Sequence, residues 1–131
     1  MSERRPHVLI VDDEAPLREL VRVCLGPGYS YREAGSVADS LHELKREAPD
    51  VVVLDLMLIG GSGLEVLRAI RDEREFANTR VVVVSAWTDE ANRQAAEEAG
   101  ADAFLGKPFE PDELIDRVDE LAAVGDRSRP T

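Results

Sequence analysis

Residues 51–55 read Val51-Val52-Val53-Leu54-Asp55, four consecutive aliphatic side chains that end on a carboxylate. An apolar run with no polar alternation is the pattern of a strand buried on both faces, as in a parallel sheet covered by helices. The pattern recurs at Val8-Leu9-Ile10-Val11 and Val81-Val82-Val83-Val84, so three central strands are expected. Tyr29 to Ala34 is β-prone but mixed in polarity, and Ala103-Phe104-Leu105 is short; both suit the sheet's edges.

Between these runs the apolar period becomes helical. Leu17, Leu20, Val21, Cys24 and Leu25 share one face and stop at Gly26-Pro27-Gly28. A second helix is predicted from Val37 to Ala48, with Val37, Leu41 and Leu44 inward and Pro49 as its end. A third begins near Gly63 and carries Leu64, Val66, Leu67 and Ile70. The fourth, Asp89 to Ala99, has only Ala91, Ala95, Ala96 and Ala99 as anchors and should be lightly held. The fifth opens at Glu110-Pro111 and buries Leu114, Ile115, Val118, Leu121 and Ala122. Five strand–helix alternations predict an α/β fold, an open doubly wound parallel sheet with helices on both faces. One domain, residues 6–123, with a polar C-terminal tail at 124–131, accounts for the 131-residue chain.

Composition narrows the function. With 27 acidic against 16 basic residues the net charge is -11, which repels phosphate backbones and anionic lipid, so no direct nucleic acid and no membrane partner is expected. The single cysteine cannot form an internal disulfide, and Cys24 reads as a packing residue on the first helix. No signal-peptide pattern stands at the N-terminus and no apolar run approaches the roughly 20 residues that span a bilayer, so a cytoplasmic setting is predicted.

In such a sheet ligands bind beyond the carboxyl ends of the strands. There the sequence places Asp12-Asp13 after the first run, Asp55 after the third, Ser85 after the fourth and Lys107 after the fifth. Carboxylates brought together repel unless a cation shares the site. Only oxygen ligands are on offer, which points to a hard ion such as Mg²⁺ rather than zinc. An aspartate beside Mg²⁺ can act as a nucleophile toward phosphorus, with Lys107 and the Ser85 hydroxyl neutralising the other phosphoryl oxygens. Taken singly, Asp12-Asp13, Asp55 and Ser85 could be caps and Lys107 a solvated turn residue; their conjunction at four strand ends argues for a site.

Taken together, Val11-Asp12-Asp13-Glu14, Asp55 with Gly63 eight residues on, Ser85-Ala86 and Lys107-Pro108-Phe109 resemble the response-regulator receiver domain over about residues 6–123. The resemblance implies a flavodoxin-like strand order of 2-1-3-4-5. It implies Asp55 as phosphoacceptor, supplied by a sensor histidine kinase or phosphotransfer protein. Asp13, Asp55 and the Met57 carbonyl would hold Mg²⁺, with Asp12 acting through water. Ser85 and Phe104 match the switch pair, and Lys107-Pro108 matches a lysine followed by a cis proline. The chain departs from the common pattern at Ile59, Ser62 and Phe104. A signalling role rather than that of an enzyme follows, with only self-catalysed phosphotransfer and autodephosphorylation. The output would pass to a downstream protein or dimer partner through the helix 4, strand 5, helix 5 face. Alternatives are a receiver excised from a longer regulator, a phosphate-independent interaction module, and a Mg²⁺-dependent phosphohydrolase, whose D-x-D motif is missing. Trp87 is read either as loop packing or, with Met57, as a shield of the acyl phosphate from water.

Overall fold

The computed structural model describes residues 5–127. Strands β1 (His7–Val11), β3 (Val51–Asp55) and β4 (Arg80–Ser85) form the middle of a five-stranded sheet, with β2 (Ser30–Ala34) and β5 (Ala103–Gly106) at its edges. The order is β2-β1-β3-β4-β5 and every pairing is parallel. Helices α1 (Ala15–Leu25), α2 (Val37–Arg46), α3 (Gly63–Asp72), α4 (Glu90–Glu98) and α5 (Pro111–Arg127) connect or follow the strands.

Unbroken aliphatic runs are required because each strand feeds two cores. Leu9, Val11, Val52, Leu54, Val81 and Val83 face α2, α3 and α4, together with Val66, Leu67 and Ile70. Their alternate neighbours Val8, Ile10, Val51, Val53, Val82 and Val84 face α1 and α5, against Val21, Leu25, Leu114 and Val118. Side chains of successive strand residues point to opposite faces, so a polar residue anywhere in these runs would enter one core or the other.

Several local expectations need correction. Leu20, placed inward by periodicity, is 44% exposed. It lies on the flank of the α1 stripe and borders, with Leu17, an apolar groove beside Pro108 and Phe109. Helix α2 ends at Arg46 rather than Ala48, because Glu47 is already extended and the residue before Pro49 is disfavoured in a helix. In α4 only Ala96 is buried, while Ala91 is exposed. Helix α5 continues to Arg127 through residues read as tail, since one glycine costs only about 1 kcal/mol in a helix. The rest of that tail, residues 128–131, lies outside the described residues. Phe76, unassigned by periodicity, is buried in a 3₁₀ turn at Arg74–Phe76.

Between β3 and α3 the chain forms a two-residue antiparallel ribbon that sequence periodicity does not reveal, Met57–Leu58 against Gly61–Ser62. Ser62 then caps α3: its hydroxyl accepts from the Leu64 N–H at 3.1 Å, and its own N–H donates to Glu65 Oε1 at 3.1 Å. This reciprocal box satisfies donors that the first helical turn leaves unpaired. Ser62→Ala is expected to cost about 1 kcal/mol of stability, read as a lower urea midpoint at unchanged slope. Gly63 opens α3 with its N–H on the Leu56 carbonyl at 2.9 Å. A Cβ there would sit 2.2 Å from the Asp55 carbonyl oxygen, so the residue must be glycine for α3 to start against β3. Among the described residues no helix is long and apolar enough to cross a membrane.

Candidate functional site

The parallel sheet brings the carboxyl ends of β1, β3, β4 and β5 to one edge. Asp12 follows β1, Asp55 ends β3, Ser85 ends β4 and Lys107 follows β5. Ladder bonds continue into these turns, with the Asp12 N–H on the Ala34 carbonyl at 3.1 Å and the Lys107 N–H on the Ser85 carbonyl at 2.9 Å. The Lys107-Pro108 peptide is cis, as the motif implies.

The Lys107 ammonium spans the cleft, donating to Asp12 Oδ2 at 2.8 Å and to Asp55 Oδ2 at 3.0 Å. Asp12 and Asp55 are buried, whereas Asp13 is exposed. Carboxylate oxygens of the three acids lie within 4.8 Å of one another. Burial raises the Asp55 pKa above the ordinary carboxylate value, against the opposing pull of the Met57 N–H and of Lys107, with the Asp12 charge adding to the rise. Burial alone would lower the Lys107 pKa, but its bonds to Asp12 and Asp55 and their charges prevail and raise it. The ammonium is therefore firmly charged, and Asp55 is the acid that binds its proton more tightly than usual.

The remaining expected residues fall around this centre. Met57 donates its N–H to Asp55 Oδ1 at 3.1 Å and lines the cleft with Asp13, Glu14, Asp55, Ala86 and Lys107. Ser85 is fully buried, and its hydroxyl oxygen accepts from the Trp87 N–H at 3.0 Å. The Trp87 side chain is 45% exposed and is not among the residues lining the cleft. Phe104 is half-buried, with the Arg93 guanidinium carbon 4.7 Å from its ring centre.

The capping alternatives fail at two points. Glu14 stands at the N-cap of α1 and makes no side-chain cap bond, and Asp89 rather than Ser85 caps α4. Periodicity does not reveal Glu14 as a cleft residue or Arg18 as a neighbour of the acidic turn. Adjacency to Asp12-Asp13 was a usable signal for Glu14; for Arg18 the sequence holds none beyond its place in the first turns of α1.

Residues 8–119 match the family described as response regulator receiver domain. The chain belongs to that family. The receiver is 38% identical over 112 residues to the phosphate regulon transcriptional regulatory protein PhoB of Klebsiella pneumoniae, covering 85% of this chain and 49% of that protein. Against the DNA-binding response regulator MtrA of Mycobacterium tuberculosis it is 36% identical over 119 residues, covering 90% and 51%. The receiver thus spans about half the length of the curated relatives it matches. Among solved structures, a response regulator from Chloroflexus aurantiacus superposes with a TM-score of 0.86 at 32% identity, covering 92% of this chain and 99% of that one. The BeF₃-activated DrrB receiver domain superposes with a TM-score of 0.83 at 31% identity, covering 91% and 98%. Receivers are signalling domains of two-component systems, and the fold here is the flavodoxin-like one of CheY-like proteins.

Proposed function

We propose that this receiver accepts a phosphoryl group on Asp55 from a phosphohistidine of a sensor kinase or phosphotransfer protein, in a reaction that requires Mg²⁺. The observation that carries this reading is the Lys107 ammonium bonded at once to Asp12 and Asp55, beside the exposed carboxylate of Asp13. An all-oxygen donor set with one accessible acid fits a hard divalent cation. Asp13 and Asp55, with the Met57 carbonyl, would hold it, and Asp12 would act through water. Bound there, Mg²⁺ neutralises charge that builds on a phosphoryl oxygen.

The chain's own groups do the rest. An Asp55 carboxylate oxygen attacks phosphorus, the P–O bond forms as the P–N bond to the donor imidazole breaks, and the departing imidazole takes up a proton. Lys107, already within hydrogen-bond reach of Asp55, turns to a phosphoryl oxygen. The Ser85 hydroxyl uses its oxygen toward the Trp87 N–H, which leaves its proton to donate to another. Movement of Ser85 and Lys107 toward the acyl phosphate, followed by inward rotation of Phe104, would remodel the face made by α4, β5 and α5. Helix α4, with one buried residue, offers little resistance. Met57 lines the cleft and could slow water attack; Trp87 would have to swing toward the cleft to help it.

Incubation with acetyl phosphate is expected to add a single phosphoryl mass to the native chain only when Mg²⁺ is present, and none to Asp55→Asn. A native chain without adduct under any phosphodonor would favour a phosphate-independent interaction module. A second expected outcome concerns pH. Because the Asp55 pKa is raised, its metal-binding ionised form is complete only above that value, and a proton displaces the cation as pH falls through it. Mg²⁺ affinity should therefore begin to fall at a higher pH than it would with an ordinary carboxylate ligand, as followed by calorimetry. An affinity unchanged down to pH of about 4 would contradict this.

One observation favours a second reading of the output. The curated relatives are about twice as long as the matched segment, so the chain would serve as the receiver part of a longer regulator. The acidic surface speaks only for this segment, whose net charge of -11 disfavours its own contact with nucleic acid.

A further inference from the structure

Every polar group of Asp12 is engaged. Its N–H donates to the Ala34 carbonyl at 3.1 Å. Its Oδ1 accepts from the Glu14 N–H at 2.9 Å and its Oδ2 from Lys107 at 2.8 Å. Its carbonyl oxygen accepts from Arg18 Nη1 at 2.5 Å. That last bond reaches across from α1 and serves neither the strand ladder nor the cleft. The Asp12 carbonyl belongs to the planar peptide group that carries Asp13, so fixing the oxygen fixes the direction in which Asp13 leaves the strand.

Arg18 is itself held in place. Its Nε donates to Glu33 Oε1 on β2 at 2.9 Å, and the other oxygen of Glu33 is paired with Arg22 at 3.1 Å. The Arg18 side chain is only 19% exposed. Space for its guanidinium comes from Gly35, where a Cβ would lie 3.1 Å from Nη1. An anchored planar fork that spends one donor on a carboxylate and another on a backbone carbonyl is suited to orienting a turn.

We propose that Arg18, anchored by Glu33, is a positioning residue for the divalent-cation site, holding through the Asp12 carbonyl the direction from which Asp13 faces Asp55. The inference rests on the Mg²⁺ reading above. Positioning and through-space charge predict opposite signs. Removing a nearby cation makes the acidic cluster more negative and would tighten Mg²⁺ binding. Releasing the Asp12-Asp13 peptide misplaces a ligand and weakens it, by the roughly 10- to 100-fold that loss of an outer partner costs a metal site.

The test is calorimetric titration of Mg²⁺ into the native chain, Arg18→Ala, Arg18→Lys and Glu33→Gln, each checked for native circular dichroism. Arg18→Ala is expected to bind roughly 10- to 100-fold more weakly. Lysine keeps the charge but cannot reach Glu33 and the Asp12 carbonyl together, so Arg18→Lys should also bind more weakly, which charge alone does not predict. Glutamine still accepts from Arg18 Nε, so Glu33→Gln should bind as the native chain does. Equal or tighter binding by folded Arg18→Ala and Arg18→Lys, with the native chain binding Mg²⁺, overturns this inference alone. If Arg18→Ala does not fold, the lysine variant decides. No binding by the native chain overturns the Mg²⁺ reading and the inference with it.

Discussion

Lys107→Ala is expected to lower the unfolding midpoint of the metal-free receiver by about 10–20 °C and to make part of that loss recoverable with Mg²⁺. The ammonium is the shared partner of two carboxylates whose side chains are 8% and 6% exposed. Its removal leaves Asp12 and Asp55 facing each other without a counter-charge, and breaking a buried ion pair by deleting one partner costs roughly 3–5 kcal/mol. For a domain of this size that corresponds to about 10–20 °C. A divalent cation supplies the missing positive charge, and a ligand at about 100 times its dissociation constant adds about 2.7 kcal/mol. The variant should therefore gain more from Mg²⁺ than the native chain does, as seen in thermal melts with and without the ion. A deficit of equal size in both conditions would show that Lys107 acts through packing rather than charge.

Gly63→Ala should be the most damaging single methyl group near the site. The added Cβ would stand 2.2 Å from the Asp55 carbonyl oxygen and 2.8 Å from the Leu56 Cα. Both obstacles are backbone, so no side chain can turn aside. Relief requires α3 to move off β3, which disturbs the Leu56–Gly63 hydrogen bond and the strand end that carries Asp55, the proposed phosphoacceptor. Overpacking of this kind costs about 1–3 kcal/mol or more. Chemical denaturation should show that loss, and the folded fraction should phosphorylate more slowly because Asp55 is displaced. Stability within a few tenths of a kcal/mol of native would mean that α3 shifts off β3 at little cost and would contradict the requirement for glycine at position 63.

The architecture was legible because the sheet is buried on both faces. Val51 to Leu54 and its two counterparts cannot alternate in polarity when each strand serves two cores, and that constraint marks the central strands without any other information. The site was legible for a related reason: parallel strands present their carboxyl ends together, so residues following the apolar runs had to meet. What periodicity could not supply was geometry within the loops. Leu20 sits at the correct helical spacing yet on the flank of its stripe. The ribbon at Met57–Leu58 and Gly61–Ser62 is too short to leave a pattern, although Ser62 and Glu65, three apart, carry a capping signature. Gly63 was visible as part of a motif, but the reason for it is the backbone of another strand. Arg18 bonds a main-chain oxygen, and no side-chain pattern announces such a bond.

The most direct test of the central claim is to locate the phosphoryl group chemically. After phosphorylation with acetyl phosphate and Mg²⁺, borohydride reduction converts an aspartyl phosphate to homoserine, which peptide mass spectrometry places in the sequence. Homoserine at position 55 alone is the expected result. Homoserine at position 12 or 13, or a reduction-resistant phosphate on Ser85, would contradict the assignment of Asp55 as the phosphoacceptor.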